Sequence, residues 1–309
     1  MGSPAHAKII TGTFLDGLPC DIPSQNWGRL EWERQFHTFA EMGMDTCVII
    51  RVGWQDLAMY PSRVMDAPVS AHDLVALFLE LAAREKMRLY MGLYDTNRHW
   101  LEGRTAREAE VNLDLIEELL DRYGEHEAFH GWYLSHEPGM EYRPWEIWGP
   151  LVRRMRERTP KRPILVSPRY EGRKWKTPWD SPKTCARRFA ECLGKVEGRI
   201  DAAAFMDGHV AFGELADYAA AMKEALDEAG TSFWSNLETF DRDMPIKYPP
   251  IDWNKMRMKL EAVQGLVEKI ITFEAPHFLS PHSTWESAGT LYARYLEYID
   301  AASRGESEA

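Results

Sequence analysis

Eight times along this chain of 309 residues, a short, continuously apolar run gives way to an amphipathic helical pattern. The runs are Lys8–Phe14, Thr46–Val52, Arg88–Leu93, Gly131–Ser135, Pro163–Ser167, Ala202–Met206, Ser232–Asn236 and Lys269–Phe273. Apolar residues at consecutive positions, not alternating ones, are what parallel strands buried on both faces require. The helical patterns cover Arg29–Met42, Ala71–Lys86, Arg104–Tyr123, Pro144–Glu157, Lys183–Val196, Gly213–Glu228, Asp252–Val267 and Trp285–Ala301. Within them, stretches such as Val111–Leu120 repeat apolar residues at helical spacing. Gly43, Gly124 and Gly230 sit where left-handed C-terminal caps belong, and Ser70, Asp252 and Ser283 or Thr284 where N-caps belong.

Strict strand–helix alternation specifies a parallel sheet, either open and doubly wound or closed. No Gly-rich phosphate loop follows the first strand, and nothing divides the chain into two halves. The expected fold is therefore α/β, a single (β/α)8 TIM barrel over residues 1–309, with 303–309 a polar tail. The long irregular stretches 14–28, 53–69, 94–103, 168–182, 239–251 and 274–284 all follow a strand's C-terminus, the functional face of such a barrel.

A net charge of −11 argues against nucleic acid, whose phosphates need a basic surface, and against an anionic membrane. Cys20, Cys47, Cys185 and Cys192 show no metal-binding spacing, and Cys185 and Cys192 stand two helical turns apart, too far for a bridge. The N-terminus lacks an apolar leader core, and no run of 18 apolar residues occurs. These features lead us to expect a cytoplasmic protein, or a secreted one whose signal peptide has been removed. The oligomeric state stays open.

The first residues after each expected strand share one character. They are Asp16 after the first, Arg51 and Trp54 after the second, and Tyr94, Asp95 and Asn97 after the third. His136 and Glu137 follow the fourth, Arg169 and Tyr170 the fifth, and Asp207 and His209 the sixth. Asn236 and Glu238 close the seventh, and Glu274 and His277 follow the eighth. Acids, Arg and Asn suit sugar hydroxyls, and Trp or Tyr suits the apolar face of a pyranose. The expected ligand is an oligosaccharide or glycoside, bound by Asp16, Arg51, Trp54, Tyr94, His136, Arg169, Tyr170, Asp207, His209, Asn236 and Glu274. Trp100, Trp175, Trp179 and Trp285 also fall in or beside these loops, whereas Trp132 and Trp234 lie inside strands and are expected in the core.

Glu137 and Glu238 end strands four and seven, so a barrel would set them across one mouth. Two carboxylates so placed can cleave a glycosidic bond, one protonated to assist the leaving oxygen and one ionised to attack. No cofactor or metal is needed for that chemistry.

The motif Ser135-His136-Glu137-Pro138, with Glu238 on strand seven and Arg51 on strand two, resembles the retaining (β/α)8-barrel glycoside hydrolases. In that group the acid/base glutamate often sits in Asn-Glu-Pro, the Asn binding the hydroxyl beside the reacting carbon. The nucleophile glutamate there ends strand seven and is steadied by the strand-two arginine, and strand eight ends in a tryptophan. The resemblance thus implies Glu137 as acid/base and Glu238 as nucleophile, with Arg51 and Asn236 expected to orient Glu238. His136 and Glu274 depart from this pattern. The opening Ile10-Thr11-Gly12-Thr13-Phe14-Leu15-Asp16 and the stretch Ile22–Trp27 also resemble a barrel family of unknown function grouped with these hydrolases. Two rivals remain. One is a metal-dependent sugar isomerase holding Mg²⁺ or Mn²⁺ on Glu137, Asp207, His209, Glu238 and Glu274. The other is a barrel that binds glycans without cleaving them.

Overall fold

The computed structural model describes residues 9–18, 23–67, 73–137 and 139–304. Eight strands form a closed barrel: β1 Ile10–Leu15, β2 Thr46–Ile49, β3 Arg88–Met91, β4 Phe129–Tyr133, β5 Ile164–Val166, β6 Ala202–Met206, β7 Ser232–Leu237 and β8 Lys269–Thr272. Every neighbouring pair is parallel, and β1 closes the ring by pairing with both β2 and β8. The helices are α1 Arg29–Glu41, α2 Leu74–Arg84, α3 Thr105–Tyr123, α4 Trp145–Arg158, α5 Pro182–Leu193, α6 Leu215–Ala229, α7 Trp253–Val263 and α8 Glu286–Arg304. A single helical turn, Ala275–Phe278, follows β8. Among the described residues, no helix is long and apolar enough to cross a membrane.

The continuous apolar runs are explained by two separate cores. Phe14, Val48, Tyr90, Tyr133, Leu165, Ala202, Ala204 and Ile271 pack together as one cluster that includes Trp234 at its edge. Alternate residues of the same strands, such as Cys47, Ile49, Leu89 and Trp132, pack into the larger cluster with the helices. Successive side chains of a strand point to opposite faces, so a barrel strand serves both cores at once. Trp132 is fully buried as expected.

Several boundaries differ from the sequence reading. The expected second and third strands each break near their ends, and the continuations Arg51–Trp54 and Leu93–Asp95 pair with each other beyond the barrel wall. Leu57–Ala58 adds an antiparallel third strand to this small sheet. Gly43 and Gly230 adopt positive φ, 78° and 67°, as left-handed caps. Gly124 does not; it stays in the right-handed region at φ −59°, so the helix simply runs out there. Asp252 caps α7 by accepting from the Asn254 and Lys255 amides. Asp73 caps α2; Ser70, expected in that place, lies outside the described residues, as does Cys20. Cys47, Cys185 and Cys192 are buried free thiols.

Candidate active site

A cavity of about 270 Å³ opens at the C-terminal ends of the strands, lined by Ile50, Arg51, Asp95, Trp100, Ser135, Glu137, Met206, Asn236, Glu238, Phe240, Arg242 and Phe273. Glu137 and Glu238, 101 positions apart in the chain, share this space. Strand direction accounts for it, because parallel strands in a closed ring deliver all their C-terminal ends to one rim.

Glu137 stands four residues after Tyr133, whose ring is buried in the barrel interior against Phe14. The Tyr133 hydroxyl donates to Glu137 Oε1. Burial pushes the Glu137 carboxyl up to about 7, with help from the negative charges of Asp95 and Asp16; the Tyr133 hydrogen bond and the Arg51 charge oppose this. Arg169 holds the local backbone, donating from Nη1 to the Glu137 carbonyl at 3.2 Å while stacking 3.7 Å over the Trp175 ring. Removing the Tyr133 hydroxyl should therefore raise the Glu137 carboxyl further. We expect Tyr133→Phe to move the alkaline limb of kcat/KM upward by about 0.5–1 pH unit, measured as a pH–rate profile. An unmoved limb would refute this coupling.

Glu238 is almost wholly buried and meets the guanidinium of Arg242 as a fork: Nε to Oε2 and Nη2 to Oε1, both 2.7 Å. Burial alone would raise this carboxyl, but the Arg242 hydrogen bonds and charge, helped by Lys259 and His209, hold it below the usual carboxylate range. Its amide donates to Asp207 Oδ1 at 3.1 Å, and Lys259 Nζ bridges Asp207 Oδ1 and the Glu238 carbonyl at 2.8 Å each. Gly208 makes the close approach possible. A Cβ there would fall 1.8 Å from Glu238 Oε2 and 2.5 Å from Arg242 Nε. Gly208→Ala should thus displace the carboxylate and lower turnover by about 100-fold or more, with stability falling by about 1–3 kcal/mol; kcat and Tm check both.

Of the other expected ligand-binding residues, Arg51 and Asn236 line the cavity and the rest do not. Arg51 does not orient Glu238; it pairs with the buried Asp16, Nη2 to Oδ2 at 2.6 Å and Nε to Oδ1 at 3.3 Å. Asn236 lines the cavity but donates from Nδ2 to Ser167 Oγ at 3.0 Å, not to Glu238. Glu274 is fully buried, its Oε1 accepting from the Asp16 amide, and it does not line the cavity. Burial raises its carboxyl well above the ordinary range. Asp207 is likewise enclosed beside Lys259, where burial pushes it up to about 6 against the ammonium's pull. Tyr170 belongs to the core, packed against Phe205 and Tyr218. His136 is sealed in the wall, its Nε2 2.8 Å from Glu108 Oε1. His209 packs edge-on to Trp175, and burial pushes its imidazole down to about 4. Trp54 lies under Arg51, and the Tyr94 hydroxyl donates to the Gln55 carbonyl at 2.7 Å, so both brace the rim sheet beside the cavity. For Arg51, Asp16, His136 and Asp207 the cost of burying a charged or polar group is offset by a partner that the fold supplies from a distant segment.

Among the described residues, Glu137, Asp207, His209, Glu238 and Glu274 do not form a group within ligating distance of one another. Ligating atoms of Asp95, Glu108 and His136 do approach within 4.8 Å of one another. The Glu108 oxygens, however, already accept from the Thr96 amide, the Thr96 hydroxyl and His136. Those bonds, chiefly His136, hold the Glu108 carboxyl below its usual range despite burial. Glu108, His136 and Thr96 thus form a hydrogen-bonded group that braces the loop after β3.

Sequence reasoning passed over Arg242, Lys259, Glu108 and Gly208. The only local signals are a basic residue four positions beyond Glu238 and charged residues facing inward on α3 and α7.

A family model described as "Domain of unknown function (DUF4434)" matches residues 10–285. No curated protein matches the chain by sequence. Among solved structures, one from Bacteroides thetaiotaomicron described as a "putative alpha-L-fucosidase" shares 36% identity, with 96% of this chain and 94% of that chain covered and a TM-score of 0.89. An endo-beta-1,4-mannanase from Thermotoga petrophila gives a TM-score of 0.64 at 12% identity, covering 99% of this chain and 79% of that one. A family 1 beta-glucosidase from Thermotoga maritima gives 0.58 at 9% identity, with 99% of both chains covered. At such identities the latter two share the barrel fold.

Proposed function

The chain belongs to this DUF4434 family, and from that premise we propose that it is a retaining glycoside hydrolase using Glu137 as acid and base and Glu238 as nucleophile. One observation carries the reading: two carboxylates face one cavity in environments that drive their proton affinities apart. Glu137 is held up to about 7 and Glu238 is held down by its arginine fork. Such separation assigns the acid and the anion without further groups.

In the first step the Glu137 proton passes to the glycosidic oxygen as its bond to the anomeric carbon breaks, and a Glu238 oxygen bonds that carbon. Each Glu238 oxygen accepts one Arg242 hydrogen bond and keeps a second lone pair for the attack. In the second step Glu137 takes a proton from the water that displaces Glu238. A retaining pair stands about 5–5.5 Å apart, an inverting pair about 6.5–9.5 Å.

A cavity of about 270 Å³ suits one sugar ring, which favours removal of a terminal residue over internal cleavage. Ile50, Met206, Phe240 and Phe273 provide an apolar stretch of wall. A 6-deoxy sugar such as fucose would lay its methyl group there, in keeping with the relative described as a "putative alpha-L-fucosidase".

The test is a screen of p-nitrophenyl glycosides of L-fucose, D-mannose, D-glucose and D-xylose, with NMR of the first-formed anomer. Turnover with retained configuration, lost in Glu238→Gln, supports the proposal. Inverted product or undiminished turnover in that variant sinks it.

A further inference from the structure

Much of the cavity's polar wall is engaged in internal bonds, although Asn236 Oδ1 has no partner among the described residues. Arg51 is engaged by Asp16 and Arg242 by Glu238; Asn236 Nδ2 is taken by Ser167, and Ser135 Oγ accepts the Leu93 amide at 2.6 Å. Asp95 differs. It is 7% exposed and lines the cavity, and among the described residues no cation pairs with it. Its Oδ1 accepts two donors, the Asn97 amide at 2.7 Å and Trp100 Nε1 at 2.8 Å. No described donor reaches Oδ2.

That arrangement has a chemical consequence. The two bonds to Oδ1 lock the plane of the carboxylate and fix the Trp100 ring beside it, itself braced edge-on by Tyr142. A buried charge left with one unfilled oxygen is costly unless a donor arrives, and a ligand hydroxyl entering the cavity would supply one in place of water. An aromatic ring held next to an anionic acceptor suits a pyranose, which stacks its C–H face and donates a hydroxyl. The position that precedes Glu137 cannot do this, since His136 is sealed against Glu108.

We infer that Asp95 is a substrate-binding carboxylate: its Oδ2 accepts a hydroxyl of the sugar ring seated beside Trp100, and it selects for glycosides that carry a free hydroxyl there. This rests on the glycosidase reading for the identity of the ligand, though not for the geometry.

Asp95→Asn is a sharp test because an amide keeps Oδ1 as acceptor for Asn97 and Trp100 and changes only the open position. The expected variant folds with an unchanged Tm and shows a raised KM. On whichever of the four p-nitrophenyl glycosides above is turned over best, monodeoxy analogues are then compared in both proteins. One deoxy position should cost the wild type about 10- to 100-fold in kcat/KM and cost Asp95→Asn less than about 3-fold. Equal deoxy penalties in the two proteins, or wild-type kinetics in the variant, overturn the inference. Should the variant fail to fold, the wild-type series decides alone: no deoxy position costing more than about 3-fold overturns it. Should no glycoside be turned over, the hydrolase reading falls and calorimetric binding of L-fucose, D-mannose, D-glucose and D-xylose decides the role of Asp95. Weaker binding in Asp95→Asn supports it; equal binding, or none to the wild type, overturns it.

Discussion

Glu238→Gln should lower turnover by about four orders of magnitude or more, since it removes the attacking charge while keeping nearly the same volume. The substitution also reaches the fork. Gln offers one acceptor where the carboxylate offered two, so one N–H of Arg242 meets an amide NH₂ in place of an oxygen. Arg242 retains some solvent access and can swing outward, which limits the damage. We therefore expect a loss of about 1–3 kcal/mol in stability, read by urea unfolding, beside the collapse of kcat. The two readouts separate chemistry from packing. A variant with near-wild-type kcat would remove Glu238 as nucleophile, whereas an unfolded one would show that the fork holds the loop after β7 in place. The more conservative Gly208→Ala displaces the same carboxylate without removing it and should fail in the same direction.

Glu137→Gln is expected to sort substrates by leaving group. Activated aryl glycosides, which need no proton, should lose little in the first step; poor leaving groups should lose about 10²–10⁴-fold, the usual worth of a positioned acid. The wild-type pH profile follows from the same group. A general acid must carry its proton, and burial keeps that proton on Glu137 until about pH 7, while Glu238 is ionised well below that. The activity of kcat/KM should thus hold level below about pH 6 and fall about tenfold per unit above about pH 7. Stability has the matching sign. The folded value lies above the ordinary value of 4.5, so the contribution of Glu137 is fully present below about 4.5 and is lost as pH rises through about 7. Gln cannot ionise. Its variant should therefore gain on wild type across that window, by on the order of 2–3 kcal/mol at pH 8, and a Tm difference independent of pH would contradict this.

The barrel was legible because its signal repeats. Each strand is marked by consecutive apolar residues and each helix by its own period, and eight repeats leave little freedom in how they close. The two glutamates were legible for a related reason: each is the point where an apolar run ends on a charge. Their neighbours were not. At a strand end a shift of one residue turns a side chain from the cavity to the helix layer, and Tyr170 turned to the helices where Tyr133 faces inward. His136 and Asp207 looked like ligand-binding groups because their partners, Glu108 and Lys259, stand 28 and 52 positions away on helices. Arg242, which sets the state of Glu238, sits in an irregular loop with no period to reveal it.

The amino-acid sequence by itself determined the closed parallel barrel and the rim on which the acids gather, since periodicity and strand direction are local properties repeated eight times. Only the tertiary structure decided which polar groups remain open to a ligand. A buried charge is costly without a counterpart, and the pairing of Asp16 with Arg51, Glu238 with Arg242 and Asp207 with Lys259 is settled by packing between segments, while Glu137 and Asp95 line the cavity with no cation paired to them among the described residues.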